Sequence, residues 1–169
     1  LPTINFSEER IRTTELYPYT QLIAEDLPGV MVAHLNVPSL EPQNNIPSTL
    51  SRNIVSGVLK NDLGFSGLIF TDAMNMKGIT AANLPPGEKE LRAFLAGNDV
   101  LLMSHEIPEA IAKIEQEYLA GKVPPGRLEE SVKKILFAKY KAGLHNYEPV
   151  KPARSEEHTT ELQSPVTIS

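Results

Sequence analysis

The chain has 169 residues, of which 41% are hydrophobic, 22% charged and 6% aromatic, the make-up of a folded globular domain rather than a disordered segment. A formal net charge of −5 argues against a basic surface for nucleic acid or anionic lipid, and no apolar run is long enough to span a bilayer. With no cysteine, disulfides, thiolate metal sites and cysteine nucleophiles are excluded.

In chain order, Leu1-Pro2-Thr3-Ile4 reads as a connector and Ser7 as the N-cap of a helix running to about Asp26. Ile11, Leu16, Tyr19, Leu22 and Ile23 form its apolar stripe, with a kink or restart expected at Pro18. After the breaker Pro28-Gly29, the run Val30-Met31-Val32-Ala33-His34 has strand length. Ser48 or Thr49 is the expected cap of a second helix, which turns Leu50, Ile54, Val58 and Leu63 inward and stops at Gly64. Gly67 to Thr71 is a second apolar strand and ends at Asp72. A helix with Leu91, Phe94 and Leu95 stops at Gly97, and Asp99 leads into a third strand, Val100-Leu101-Leu102-Met103. Pro108 opens a helix reaching Gly121, and a last helix spans about Gly126 to Ala142. From about Ala153 periodicity stops. The stretch from Arg154 to Ser164 resembles the translation of a common sequencing adaptor and supplies one Arg and three Glu, so two of the five net negative charges belong to it. The organisation expected is a domain over 1–150 followed by a disordered tail over 151–169.

Alternating helices and strands, with strands apolar throughout, predict an α/β fold whose parallel sheet is covered on both faces. About three parallel strands with flanking helices fit the last units of a TIM-type (β/α)8 barrel, which in full needs about 250 residues. A complete, small doubly wound domain is the rival.

In such folds the chemistry sits at the carboxyl ends of the strands. Three places qualify: His34, Thr71-Asp72, and Ser104-His105-Glu106. Asp72 stands out, because a carboxylate directly after Leu68-Ile69-Phe70-Thr71 is held at the rim by a rigid strand and is placed to act as nucleophile, base or metal ligand. A helix cap or turn residue is the equal alternative for it. His34 is a ligand contact or a hydrogen-bonded structural histidine. His105-Glu106 lacks the second histidine of a zinc helix, so no metal site is expected there. Asp99 precedes its strand and is read as structural.

The blocks Val30–His34, Pro47-Ser48-Thr49-Leu50-Ser51, Leu63 through Met76, Ala96-Gly97-Asn98-Asp99-Val100-Leu101-Leu102 and Leu128 through Leu136, in this order, resemble the end of the barrel of glycoside hydrolase family 3, in its β-N-acetylhexosaminidase branch. The resemblance implies a hydrolase of terminal β-linked N-acetylglucosamine that works with retention, with Asp72 as catalytic nucleophile and with His34 and Met76 bordering the sugar pocket. It implies a carbohydrate substrate, no cofactor and no metal. Ala73 stands where glucoside-acting members commonly carry Trp, which favours this branch. The branch's acid/base group resembles an Asp-His pair on a Lys-His-Phe-Pro-Gly-His-Gly loop, and no such motif occurs in the 169 residues. The expectation is a chain that begins downstream of that loop, is inactive alone, and belongs in cis with a missing N-terminal barrel half. An aspartyl-phosphate phosphatase is a weaker rival, since Met74 stands where it needs a second Asp. A non-catalytic sugar- or protein-binding barrel stays open, as does bacterial cytoplasm against export.

Overall fold

The computed structural model describes residues 1–80 and 84–149, so the expected tail over 151–169 lies outside the described residues. Ser7 is extended and its hydroxyl accepts from the Arg10 N–H at 3.2 Å, capping α1 (Glu8–Arg10). The helix expected to continue to Asp26 comes in pieces: α1, a π-helical stretch Ile11–Glu15, and α2 (Tyr17–Ala24). Pro18 lies in the first turn of α2, where no intrahelical partner for its missing N–H is required, so it restarts the helix. The opening connector is also structured, because Ile4 N–H donates to the Asn36 carbonyl and Asn36 N–H to the Pro2 carbonyl.

Two strands, β1 (Gly29–Val32) and β2 (Leu68–Thr71), pair in parallel, with Gly29 opposite Leu68 and Val32 opposite Thr71. Between them run a 3-10 turn, Ser48–Leu50, and a π-helix, Asn53–Asp62. The cap is not the expected one. Ser51 Oγ accepts from the Ile54 N–H at 3.1 Å, while Ser48 Oγ turns back and donates to the Ala33 carbonyl at 2.5 Å.

The third strand is corrected to a single bridge. Val100 pairs in parallel with Phe70, but the Leu102 N–H donates to the Thr71 side-chain hydroxyl at 2.9 Å instead of continuing a backbone ladder. Met103 then takes a positive φ of 50°, which ends any extended run. The fold is thus α/β with a two-stranded parallel sheet. The helices α3 (Lys77–Thr80), α4 (Glu88–Ala96), α5 (Ile107–Leu119) and α6 (Arg127–Lys141) follow.

Expected coverage on both sheet faces is corrected too. Strand alternation puts Val30, Val32, Ile69 and Thr71 on one face and Met31 and Phe70 on the other. The first face is the core side: fully buried Ile69 packs with Val55, Leu59, Phe65 and Ala96, and Val30 and Val32 lie against them. On the second face Met31 is 59% exposed. A second small cluster, Met74, Ile79 and Ala93, sits beyond the end of β2.

Asp99 has the structural place expected of it. Its side chain is fully buried; Oδ2 accepts from the Ile69 N–H at 3.0 Å and Oδ1 from Ser131 Oγ at 2.5 Å. Arg127 Nη1 and Lys134 Nζ each lie 3.5 Å from it. The Arg127 guanidinium stacks over the Phe94 ring and donates to the Phe94 and Asn98 carbonyls. Burial draws its pKa down, against the pull of Asp99.

By internal contacts the chain divides into two units, Leu1–Leu136 and Phe137–Ser169. Within the second, the Tyr140 and His145 rings stack at 4.6 Å and Lys141 lies over the Phe137 ring.

Candidate active site

Asp72 follows β2 directly. Its N–H donates to the Val32 carbonyl at 2.9 Å, extending the β1–β2 pairing by one residue, and alternation carries its side chain to the uncovered face shared by Met31 and Phe70. The side chain is half-buried. Its Oδ1 accepts from the Ala73 N–H at 2.7 Å. Among the described residues nothing donates to Oδ2, which leaves one carboxylate oxygen pinned and one available.

The backbone after Asp72 is tied on two sides. Met74 N–H donates to the Leu102 carbonyl at 2.8 Å and Thr71 N–H to the Val100 carbonyl at 3.0 Å. His34 Nε2 lies 3.0 Å from the Ala73 carbonyl, which also accepts from the Met76 N–H at 3.1 Å. Of the three expected site residues, the structure therefore brings Asp72, His34 and the Met76 backbone onto one short turn. Their exposures differ. His34 is 4% exposed and spends its second ring nitrogen on Thr49 Oγ1 at 2.6 Å, whereas Met76 is 45% exposed.

The third place, Ser104-His105-Glu106, is joined to this rim. Asn75 Nδ2 donates to His105 Nε2 at 3.1 Å. Glu106 accepts from Lys89 Nζ at 3.0 Å, and this ammonium, followed by the Gly87 N–H, holds its carboxyl below the ordinary carboxylate range. Two participants escaped the reading of the sequence. Thr49 is fully buried, and its position beside a predicted helix start disguised it as a cap. Glu90, also fully buried, accepts from Ser104 Oγ at 2.6 Å; as one of several Glu on an amphipathic helix it carried no distinguishing signal. Among the described residues no three His, Asp or Glu side chains converge into a metal-binding set.

A cavity of about 400 Å³ lies elsewhere, against β1. It is lined mainly by aliphatic and aromatic side chains, among them Ile11, Leu16, Tyr19, Val30 and Val58, and contains neither Asp72 nor His34. Its polar lining is limited to Glu15, Tyr19 and Ser48 among the described residues.

Several known proteins resemble this chain in sequence or fold. A beta-N-acetylglucosaminidase/beta-glucosidase from Cellulomonas fimi is 30% identical over 135 residues, covering 75% of this chain and 24% of that protein. Beta-hexosaminidase A from Pseudoalteromonas piscicida is 30% identical over 131 residues, covering 71% and 22%. Among solved structures, a glycoside hydrolase family 3 beta-N-acetylglucosaminidase from Paenibacillus sp. str. FPU-7 superposes with a TM-score of 0.81 at 30% identity, covering 89% of this chain and 29% of that one. Beta-glucoside phosphorylase BglX gives 0.81 at 27% identity, covering 92% and 30%. The chain thus spans about a quarter of the length of these curated relatives. Residues 1–138 match the family model for the glycosyl hydrolase family 3 N terminal domain, and the chain belongs to that family.

Proposed function

We propose that residues 1–150 form the C-terminal part of a TIM-type (β/α)8 catalytic barrel, and that Asp72 is the nucleophile of a retaining hydrolase of terminal β-linked N-acetylglucosamine. The observation that carries this reading is the state of the Asp72 carboxylate: one oxygen fixed by the Ala73 N–H, the other without a donor among the described residues, on the uncovered sheet face at a strand's carboxyl end. In the first step Oδ2 attacks the anomeric carbon as the bond from that carbon to the leaving oxygen breaks, and an acid elsewhere protonates the leaving oxygen. In the second, water attacks the same carbon, the bond between that carbon and Oδ2 breaks so that Asp72 leaves as carboxylate, and the water's proton returns to the acid's conjugate base. Met76, exposed and four residues after Asp72, lines the sugar site, and the small side chain of Ala73 leaves room there. Relatives named beta-hexosaminidase and beta-N-acetylglucosaminidase support the substrate class, with peptidoglycan fragments as its natural source. The apolar cavity against β1, which has no strand on its far side among the described residues, fits the missing barrel half in cis.

The acid/base pair belongs to an earlier part of the barrel, so this chain alone hydrolyses no glycoside at a useful rate. The test is an aryl N-acetyl-β-glucosaminide assay on the chain and on its intact parent, with a slow 2-deoxy-2-fluoro glycoside to trap the covalent intermediate. The parent is expected to turn over and to gain sugar mass on the peptide containing Asp72, and Asp72→Asn to lower kcat by roughly 10³-fold or more. Parental turnover by the chain alone refutes the missing acid/base. Phosphate on that peptide, or turnover without any label, refutes the nucleophile.

A further inference from the structure

We infer that His34 and Thr49 form a positioning clamp behind Asp72, in which Thr49 sets the histidine's tautomer and His34 holds the peptide that follows the nucleophile. This rests on the assignment of Asp72 proposed above. The protons can be followed atom by atom. The Ala73 carbonyl only accepts, so His34 Nε2 carries the hydrogen in that 3.0 Å contact. In the neutral ring Nδ1 is then bare and needs a donor, and Thr49 Oγ1, 2.6 Å away, has a single proton to give. Thr49 Oγ1 also lies 3.0 Å from the Ala33 carbonyl, which Ser48 Oγ serves at 2.5 Å, and 3.5 Å from the Val32 carbonyl; the ring contact is the shortest of the three, and we assign the single Thr49 proton to it.

The consequence falls on the nucleophile. Both ends of the Ala73–Met74 peptide are held, its carbonyl by His34 Nε2–H and its N–H by the Leu102 carbonyl. A peptide fixed from β1's end on one side and from the bridge segment on the other cannot swing about its long axis. The preceding Ala73 N–H therefore stays aimed at Asp72 Oδ1. His34 so decides which carboxylate oxygen remains free, without touching the sugar. Its burial and the full engagement of both ring nitrogens make it a positioning residue rather than a binding one.

The test uses the 169-residue chain with ¹⁵N-labelled histidine. His34 is expected to show a protonated Nε2 and a bare Nδ1, and Thr49→Val to disturb that pattern while Thr49→Ser preserves it. Amide hydrogen exchange at Ala73 and Met74 is expected to rise about tenfold in His34→Ala and Thr49→Val relative to Ile69, and to stay at the parental rate in Thr49→Ser. A ring bare at Nε2 or protonated at both nitrogens overturns the clamp, as does exchange at Ala73 and Met74 that moves no more than at Ile69. Should His34→Ala fail to fold, the spectrum of the unaltered chain and the two Thr49 variants decide. Trapping in the intact parent separates this from the nucleophile: a missing Asp72 label with the clamp spectrum in place sinks only the nucleophile. Labelling of Thr49→Val at the parental rate, with parental exchange, sinks only the clamp.

Discussion

Replacing Asp99 by Asn tests the anchor beneath the sheet. The substitution keeps the shape and removes the charge. The side chain is fully buried, so no solvent screening softens the loss. Asn offers one acceptor oxygen, so it can serve the Ile69 N–H or the Ser131 hydroxyl as the carboxylate now does, but not both. Arg127, 8% exposed at its side chain, loses the carboxylate 3.5 Å from its Nη1; Lys134 keeps Glu130 at 3.2 Å and is less affected. Removing one member of a buried ion pair costs about 3–5 kcal/mol, and the retained hydrogen bond puts Asp99→Asn near the lower end, about 3 kcal/mol. With a urea slope of about 1–3 kcal/mol per molar, the unfolding midpoint falls by about 1–3 M. A double-mutant cycle with Arg127→Met should show a clear coupling. A midpoint loss worth less than about 1 kcal/mol, or no coupling to Arg127, would falsify this view of how β2 is held.

Further expectations concern packing, backbone and acid. A Cβ at Gly67 would sit 2.7 Å from the Pro28 carbonyl oxygen and 2.7 Å from Phe65 Cζ, so Gly67→Ala is expected to lose about 1–3 kcal/mol in urea melts; an unchanged midpoint means β1 and β2 are less closely joined there. Met103 holds a φ of 50° while 67% exposed, so Met103→Asn, which tolerates that region, should raise the melting temperature by roughly 2–4 °C, and a lower value contradicts the backbone reading. Hydrogen bonds from Lys89, Lys122 and Lys133 depress the folded-state pKa values of Glu106, Glu117 and Glu129 below the ordinary 4.5. The unfolded chain then takes up these protons first. The stability they confer is complete above about pH 4.5 and is lost as pH falls through the folded-state values, while Lys89→Met should flatten that loss. Equal acid slopes for Lys89→Met and the parent chain would contradict the Glu106 share.

The position of Asp72 at a strand's carboxyl end was legible because an apolar run of strand length leads directly to it, and the surrounding blocks carry the family pattern. Asp99 was legible by the converse position, before its segment. Pro18, Gly97 and Pro108 punctuated the helices as their backbone chemistry requires. Thr49 was not legible, since a threonine beside a helix start reads as a cap unless one knows that a histidine fifteen residues earlier folds back over it. Nor was the loss of the third strand. Val100 to Met103 has strand composition, but a hydroxyl on the neighbouring strand takes the Leu102 N–H, and no sequence window contains both groups. Met31 looked like core for the same reason, because hydrophobicity states a need for cover without saying what provides it.

By itself the sequence determined the α/β alternation, the helix stops and the residue at the strand's rim, because each depends on chemistry within a few positions along the chain. Only the tertiary structure decided which hydroxyl serves His34, what holds the peptide after Asp72 and which sheet face stays open. Those outcomes depend on protons and side chains brought together from segments that lie 15 to 39 residues apart, as Thr49 and Ala73 do from His34, where spacing along the chain carries no information.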